Sequence, residues 1–373
     1  MSTFWLTQPV TDSNVKEGQL APKKTPKSEP YPLTDGMEWI TLDITQEVDM
    51  NKVYHLLMDN YVSDVKEDQS ENFRFAYSIQ LLRWALQPPK HHKDWWIGIK
   101  KGKKLVSFIS AIPITISVNK KEIEMAEVNF LCVHKSLRAK QLAPLLIQEV
   151  TRRVHLTDKW QAIYTAGHKL PGIVTTATYF HRSINIEKLI KVGFASPTND
   201  MDNYKRALLI KYSPLKLRLL EQKDIDQCFD LFIQHNTTKS ICPVFTKEEF
   251  YYWLKPLKST IWTYVVEENG KILDFVSFYH VSTTALKSQT RVKIAYLWFY
   301  TSVHTQWDQL LESLLYVTQQ DGFDCFNVLE GIGGDVALLE SLKFVRGDGT
   351  LYYYLYNWKC EAILPQKMGV FLL

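Results

Sequence analysis

The order of apolar and polar positions changes period several times along the chain. Over residues 49–61, Met50, Val53, Leu56 and Leu57 recur at helical spacing, and a second helical stretch covers 78–86, just after Phe73-Arg-Phe-Ala-Tyr77. Residues 95–99 then alternate, Lys101-Gly102-Lys103 supplies a turn, and 105–112 is an apolar run, which together predict a β-hairpin. A strand is predicted over 122–134, a helix over 142–154 from Leu142, Leu145, Leu146 and Val150, and a strand over 160–165.

After Pro214 the same order returns. A short strand over 217–220 precedes helices over 223–235 and 247–254. Strands over 262–267 and 272–279 are joined by Asn269-Gly270, and a strand (293–301), a helix (306–319) and a strand (325–329) follow. A short helix near 336–342 and a strand over 352–357 end the pattern. Strand-strand-strand-helix-strand thus occurs twice, which predicts an α/β body of two similar halves related by a pseudo-two-fold. The halves divide near 205–214, with the Pro-containing stretch 197–216 as linker, giving segments 1–36, 37–205 and 206–373.

Residues 1–36 are polar and turn-rich, and the four prolines and three lysines of 21–32 exclude a packed helix or strand. Phe4 and Trp5 in this arm need an apolar groove, either on the arm's own core or over a ligand. The chain of 373 residues is 46% hydrophobic and 23% charged, which excludes a disordered or fibrous protein. A net charge of +4 is too small for the footprint of a nucleic-acid binder. Five widely spaced cysteines without a CxxC argue against a disulfide framework or a metal site. The first residues show no secretory signal, and no 18-residue window is free of charge, so a cytoplasmic protein with no transmembrane segment is expected.

Residues 127–144 carry the clearest chemistry. An apolar strand runs into a short basic loop and then a helix starting near Leu142, a layout whose backbone amides and dipole suit an anion, with Arg138 and Lys140 adding charge. Taken alone, the segment reads more readily as a solvated basic turn than as a phosphate site. It is also the layout of acyl-CoA N-acyltransferases, and here the chain resembles the glycylpeptide N-tetradecanoyltransferase, or N-myristoyltransferase, family. The matching stretches are FWLTQPV (4–10), FRFAYS (73–78), WWIGIKKGKKLVSFISAIP (95–113), VNFLCVHKSLRAKQLAPLLIQEVTRRVH (128–155) and YTAG (164–167). YFHRSIN (179–185), KLIKVGF (188–194), DFVSFY (274–279), FDCFNVL (323–329) and LKFVRGDGTLYYYLYNWKC (342–360) complete the set in family order.

The resemblance implies two acetyltransferase-like halves around a saddle-shaped mixed β-sheet surrounded by helices. It implies transfer of myristate from myristoyl-CoA, a co-substrate, to the N-terminal glycine amine of peptides and nascent proteins by a monomer with no metal and no permanently bound cofactor. Myristoyl-CoA would lie in the first half, under the arm, and peptide largely on the second. Main-chain amides of Phe130 and Leu131 would form the oxyanion hole, and the C-terminal carboxylate, here on Leu373, would be the base. Thr3, Phe4 and Trp5 of the arm, Phe130–Val133 including Cys132, and Arg138, Ala139, Lys140, Gln141, Leu142 and Ala143 would contact the acyl-CoA. Ala139 and Gln141 stand where the family commonly has Ser and Arg, which alters individual phosphate contacts. Phe73, Phe75, Tyr77, Tyr164, Thr165, Tyr179, His181, Asp348 and Gly349 would contact the peptide. Two alternatives stay open: an N-acyltransferase for another chain length or amine, and a non-catalytic acyl-CoA or peptide-binding module.

Overall fold

Two fifteen-residue strands, Lys104–Val118 and Lys271–Ala285, are buried along most of their length, so their apolar side chains cover both faces of a sheet. The computed structural model describes residues 3–12, 14–33, 36–61, 63–65 and 71–373, without the side chains of residues 3, 63–65, 71, 72 and 139. The main path of the large mixed sheet starts at one edge with Leu217–Leu219, Ile261–Glu268, Lys271–Ala285, Thr290–Tyr300 and Cys325–Leu329. It continues through Ile173–Ser183, Val345–Tyr356, Ala162–Ala166 and Lys121–Val133 to Lys104–Val118, Trp96–Lys101 and Met37–Thr41. Helices pack on this sheet, which makes the fold α/β.

The repeat expected from the sequence is visible in the connections. In each half an antiparallel three-strand meander leads through a long helix, Leu142–His155 or Trp307–Gln320, to a strand parallel to the meander's last member. At the centre the halves interlock. Ile173–Ser183, from the first half, pairs with Cys325–Leu329 and Val345–Tyr356, while Val345–Tyr356, from the second, pairs with Ala162–Ala166. Read outward from this central pair, the strand order and pairing senses are the same on both sides.

The meanders also share an irregularity. Phe108 faces Cys132 but Ser110 faces Asn129, and Phe278 faces Leu297 but Val276 faces Tyr300, so each last strand carries one extra residue. A serine hydroxyl anchors each bulge: Ser110 Oγ donates to the Asn129 carbonyl at 2.9 Å, and Ser277 Oγ to the Phe299 carbonyl at 2.7 Å. At the first bulge Phe130 takes a φ of 55°, a left-handed backbone that a bulky aromatic rarely adopts.

Several elements differ from the sequence pattern, among them the unexpected strand Met37–Thr41 and the three that follow. Ile173–Ser183 escaped notice because IVTTATYFHRS places threonines on both faces of a strand buried between neighbours. The stretch 197–216 is not a bare linker: Asp200 caps Met201–Leu208, its side chain accepting from the Asn203 amide at 3.0 Å, and Arg182 Nη2 donates to the Leu208 carbonyl at 2.7 Å. Residues 71–76 are a strand that pairs with Lys271–Ala285, so the Phe73–Tyr77 motif sits on the sheet.

A buried carboxylate anchors the proline-rich arm, which Lys23 also ties to Asp158 at 2.7 Å. Glu149, with a side chain wholly buried, accepts from Arg152 at 2.8 Å and Arg153 at 2.9 Å, while Arg152 Nη1 donates to the Ser28 carbonyl at 2.8 Å. Burial works against the charged form, yet the two guanidinium groups hold Glu149 below the usual carboxylate range. Glu149→Ala should strand two guanidinium groups in a largely buried place and cost about 3–5 kcal/mol in urea unfolding. A loss below about 1 kcal/mol would mean that the arm and helix do not depend on this cluster.

Candidate active site

Lys121–Val133 and Ala162–Ala166 pair at only two positions, Ala126 with Ala162 and Glu127 with Ile163. Beyond them the two strands part, and a cavity of about 880 Å³ opens in the gap. One wall is residues 128–133, including the bulge, and the other is Tyr164, Thr165, Ala166 and Gly167. The helix Leu142–His155 lines it from Ala143 and Pro144 through Ile147, Val150 and Val154 to His155, a length of about 20 Å at 1.5 Å per residue. The volume and the largely apolar lining suit a sizeable, elongated ligand.

The arm covers this cavity. Residues Thr3–Thr7 form a short 3-10 helix from which Phe4 and Trp5 reach the lining, and Trp5 stacks on Tyr164 at 5.8 Å, with Tyr354 stacked behind at 5.2 Å. Tyr356 donates to Gln8 at 3.0 Å, and the Asn357 amide to the Pro9 carbonyl at 2.9 Å, which ties the arm to the second half's strand. At the other end of the chain, Met368, Val370, Phe371 and Leu372 are buried and Leu373 lines the same cavity.

The basic loop is braced rather than loose. Lys135–Lys140 is a 3-10 turn, Gln141 is left-handed with a φ of 52°, and the helix starts at Leu142. Asn60, at the end of the helix Glu47–Asn60, accepts from the Lys135 amide at 3.0 Å through its side chain and from Arg138 Nη2 at 2.8 Å through its carbonyl. Arg138, Gln141 and Ala143 line the cavity, Lys140 is exposed, and Leu142 is buried in the core. Burial pushes the Cys132 thiol up to about 12, so it offers no thiolate at neutral pH. The side chains of Thr3 and Ala139 lie outside the described residues.

The residues expected to meet a peptide fall into two groups. Tyr164 and Thr165 line the cavity with Phe130, Leu131, Cys132, Val133 and Leu373. The others lie beyond it. Tyr77 packs on the Phe130 ring at 5.7 Å and is next to Phe75, at 6.0 Å, while Phe73 packs on Phe194 at 5.5 Å. Tyr179 borders a small gap with Tyr279, Tyr296, Asn327 and the tail residues Phe371 and Leu372. His181 Nδ1 meets Asn327 Oδ1 at 2.7 Å, and burial lowers its pKa, so the neutral ring donates from Nδ1 and keeps Nε2 as acceptor. Asp348 and Gly349 are exposed, where Val345–Tyr356 loses register with its neighbour between Arg346 and Thr350.

Two family models match the chain: the N-terminal domain of Myristoyl-CoA:protein N-myristoyltransferase over residues 18–177 and its C-terminal domain over 192–370. The chain belongs to this N-myristoyltransferase family. It is an enzyme, an acyltransferase. A glycylpeptide N-tetradecanoyltransferase of Plasmodium falciparum is 43% identical over 99% of this chain and 93% of its own length. Glycylpeptide N-tetradecanoyltransferase 1 of Arabidopsis thaliana is 41% identical over 99% and 89%. The crystal structure of Saccharomyces cerevisiae N-myristoyltransferase with bound myristoyl-CoA superposes with a TM-score of 0.91 at 35% identity, covering 100% of this chain and 99% of that one. Among the described residues of the enzyme, no helix is long and apolar enough to cross a membrane and no group of side chains could hold a metal ion.

Asn60, Tyr356 and the deep residues His155, Trp160 and Gln161 also border the cavity, and the sequence pattern did not single them out. His155 stacks on Trp160 at 4.0 Å, and burial lowers its pKa to about 4, so it is neutral at working pH. A histidine with a depressed folded pKa supports stability fully above its unfolded value near 6.5 and loses that support as pH falls toward 4. His155→Gln should therefore flatten the fall in Tm between pH 6.5 and pH 4. Parallel curves for the two proteins would remove His155 as a source of acid sensitivity.

Proposed function

We propose that the enzyme moves a myristoyl group from myristoyl-CoA to the α-amine of an N-terminal glycine inside the described cavity. The observation that carries this reading is the meeting of three features in one space: the Phe130–Leu131 bulge, Thr165, and the C-terminal residue Leu373. The diphosphate lies at the braced turn by Arg138 and Gln141, and pantetheine runs along residues 130–133. The acyl chain fills the apolar part below, toward Val150, Val154 and Trp160.

The bulge supplies what the chemistry needs first. Attack of an amine on a thioester carbonyl creates an oxyanion, and preorganised donors there are worth roughly 10²–10³ in rate each. The extra residue breaks the ladder at Phe130 and Leu131, which turns main-chain amides away from Lys104–Val118; the Phe130 amide meets the Tyr61 hydroxyl, and the reacting oxygen takes that place when the donor binds. The C–S bond then breaks and the CoA thiolate takes up a proton.

The amine arrives as an ammonium and must first lose a proton. The C-terminal carboxylate of Leu373 takes it. In water the step is uphill by about 4 pK units, from a carboxylate near 3.5 to an amine near 7.8. The apolar tail around the terminus narrows that gap, because desolvation disfavours both charged forms. The peptide follows the face marked by Tyr77, Tyr179 and His181, with Asp348 and Gly349 at the exposed end. Thr165 sits beside the incoming amine, where a β-carbon on the first residue would crowd the thioester. The arm, segment 1–36, holds the donor, with the halves 37–205 and 206–373 serving acyl-CoA and peptide.

Removing Leu372 and Leu373 draws the carboxylate back by up to about 7 Å. Single-turnover acyl transfer should fall by about 10²–10⁴, while equilibrium binding of myristoyl-CoA persists. A truncated enzyme with the full single-turnover rate would place the base elsewhere. Chain length gives a second check. Each buried methylene is worth about 0.8 kcal/mol, so a C12 donor should bind up to about 1.6 kcal/mol more weakly than C14. Trp160→Ala should open the deep end and admit C16. Equal turnover of C2 and C14 donors by the unaltered enzyme would exclude a chain-length-selective cavity.

A further inference from the structure

Glu127 is a carboxyl in a place that does not favour one. It stands at the point where the two strands part, is 5% exposed, and faces Ile112 on one neighbouring strand and Ile163 on the other. Burial pushes it up to about 7, against a hydrogen bond from Asn129 that works the other way. The titratable group that faces it from the strand Val345–Tyr356 is Tyr353, whose own hydroxyl is buried without a partner among the described residues. Packing alone would be served better by leucine or methionine, since a buried carboxyl costs free energy unless it does something for its neighbours.

Its neighbour is Asn129. Asn129 Nδ2 donates to Glu127 Oε1 at 2.6 Å. The Asn129 carbonyl is fixed separately by Ser110, and the next residue is Phe130, whose left-handed backbone forms the bulge. Asn129 itself lines the cavity. An asparagine amide has one donor end and one acceptor end. Because Glu127 takes the donor end, the acceptor end, Oδ1, is the one left for a group in the cavity.

We propose that Glu127 is a positioning residue for acyl transfer, which holds the Asn129 amide with its oxygen toward the cavity, where it accepts from the incoming amine beside the oxyanion-binding bulge. The proposal rests on the acyl-transfer reading above. It adds that a hydrogen-bond acceptor for the amine is set from behind by a carboxyl that never touches substrate. With Glu127 removed, the Asn129 side chain is free to turn its NH₂ into the cavity, where it repels an N–H donor.

The test is a double-mutant cycle on the full-length enzyme with myristoyl-CoA and a Gly-initiated peptide. Glu127→Met, Asn129→Leu and the double variant are compared by single-turnover rate and by equilibrium binding of myristoyl-CoA. Loss of one oriented hydrogen bond should lower the rate roughly tenfold in Glu127→Met, with donor binding within about threefold of the unaltered enzyme. The double variant should be no slower than Asn129→Leu alone, because the two residues act through one contact. Glu127→Gln keeps an acceptor oxygen in almost the same volume, and should recover most of the rate; it also serves as the folded reference if the methionine variant is unstable. Rate losses that multiply in the double variant, or a Glu127→Gln enzyme as slow as Glu127→Met, would overturn the proposal. Unaltered enzyme that releases no CoA from myristoyl-CoA would instead overturn the acyl-transfer reading itself, so the two failures are separable.

Discussion

The site depends on two strands that pair for only two residues. Ala126 and Glu127 meet Ala162 and Ile163, and after that the extra residue at Phe130 keeps the strands from closing again. A regular ladder would have run on past Phe130 and left no room between the strands. The cost is a phenylalanine with a positive φ, and such strain persists only where the surroundings enforce it. Here they do: the Phe130 side chain is 1% exposed, packed against Tyr61 and Tyr77, and Ser110 grips the preceding carbonyl.

That gap also explains why so many distant segments converge. Two separated strands leave main-chain groups and apolar side chains without neighbours, and the arm, the Leu142–His155 helix and the C-terminal tail supply them. Trp5 on Tyr164, Asn60 on the basic turn and Leu373 at the cavity come from opposite ends of the sequence. Non-local contacts of this kind explain why the arm needs firm anchors such as the Glu149 cluster.

Period and turn chemistry made the meanders and the long helices legible, because Leu142, Leu146 and Val150 really do line up on a buried face, and Lys101–Lys104 is a hairpin turn. Ile173–Ser183 was illegible because a strand between two others in the middle of a sheet need not alternate. Its place, traded between the halves, has no local signature at all. The site was readable only in part. In the proposed reaction Phe130 and Leu131 would act through their backbone, which side-chain patterns do not report, and Leu373 through its carboxylate; both entered by family resemblance. Asn60 and Glu127 carry no such mark, since one polar residue on an apolar strand or at a helix end looks the same whether it braces a site or faces solvent.

The second half has its own bulge, at Trp298–Phe299, and its own pair of parallel strands, Thr290–Tyr300 and Cys325–Leu329. There Phe371 packs on Trp298 and Phe299, and Phe371 and Leu372 border a small gap with Tyr296, Leu297 and Asn327. The chain has filled one of its two symmetric openings with its own last residues. One packed segment thus serves both halves. Loosening Phe371 from Trp298 and Phe299 would shift Leu373 at the cavity of the other half, so a change in the core of the second half is felt at the site in the first.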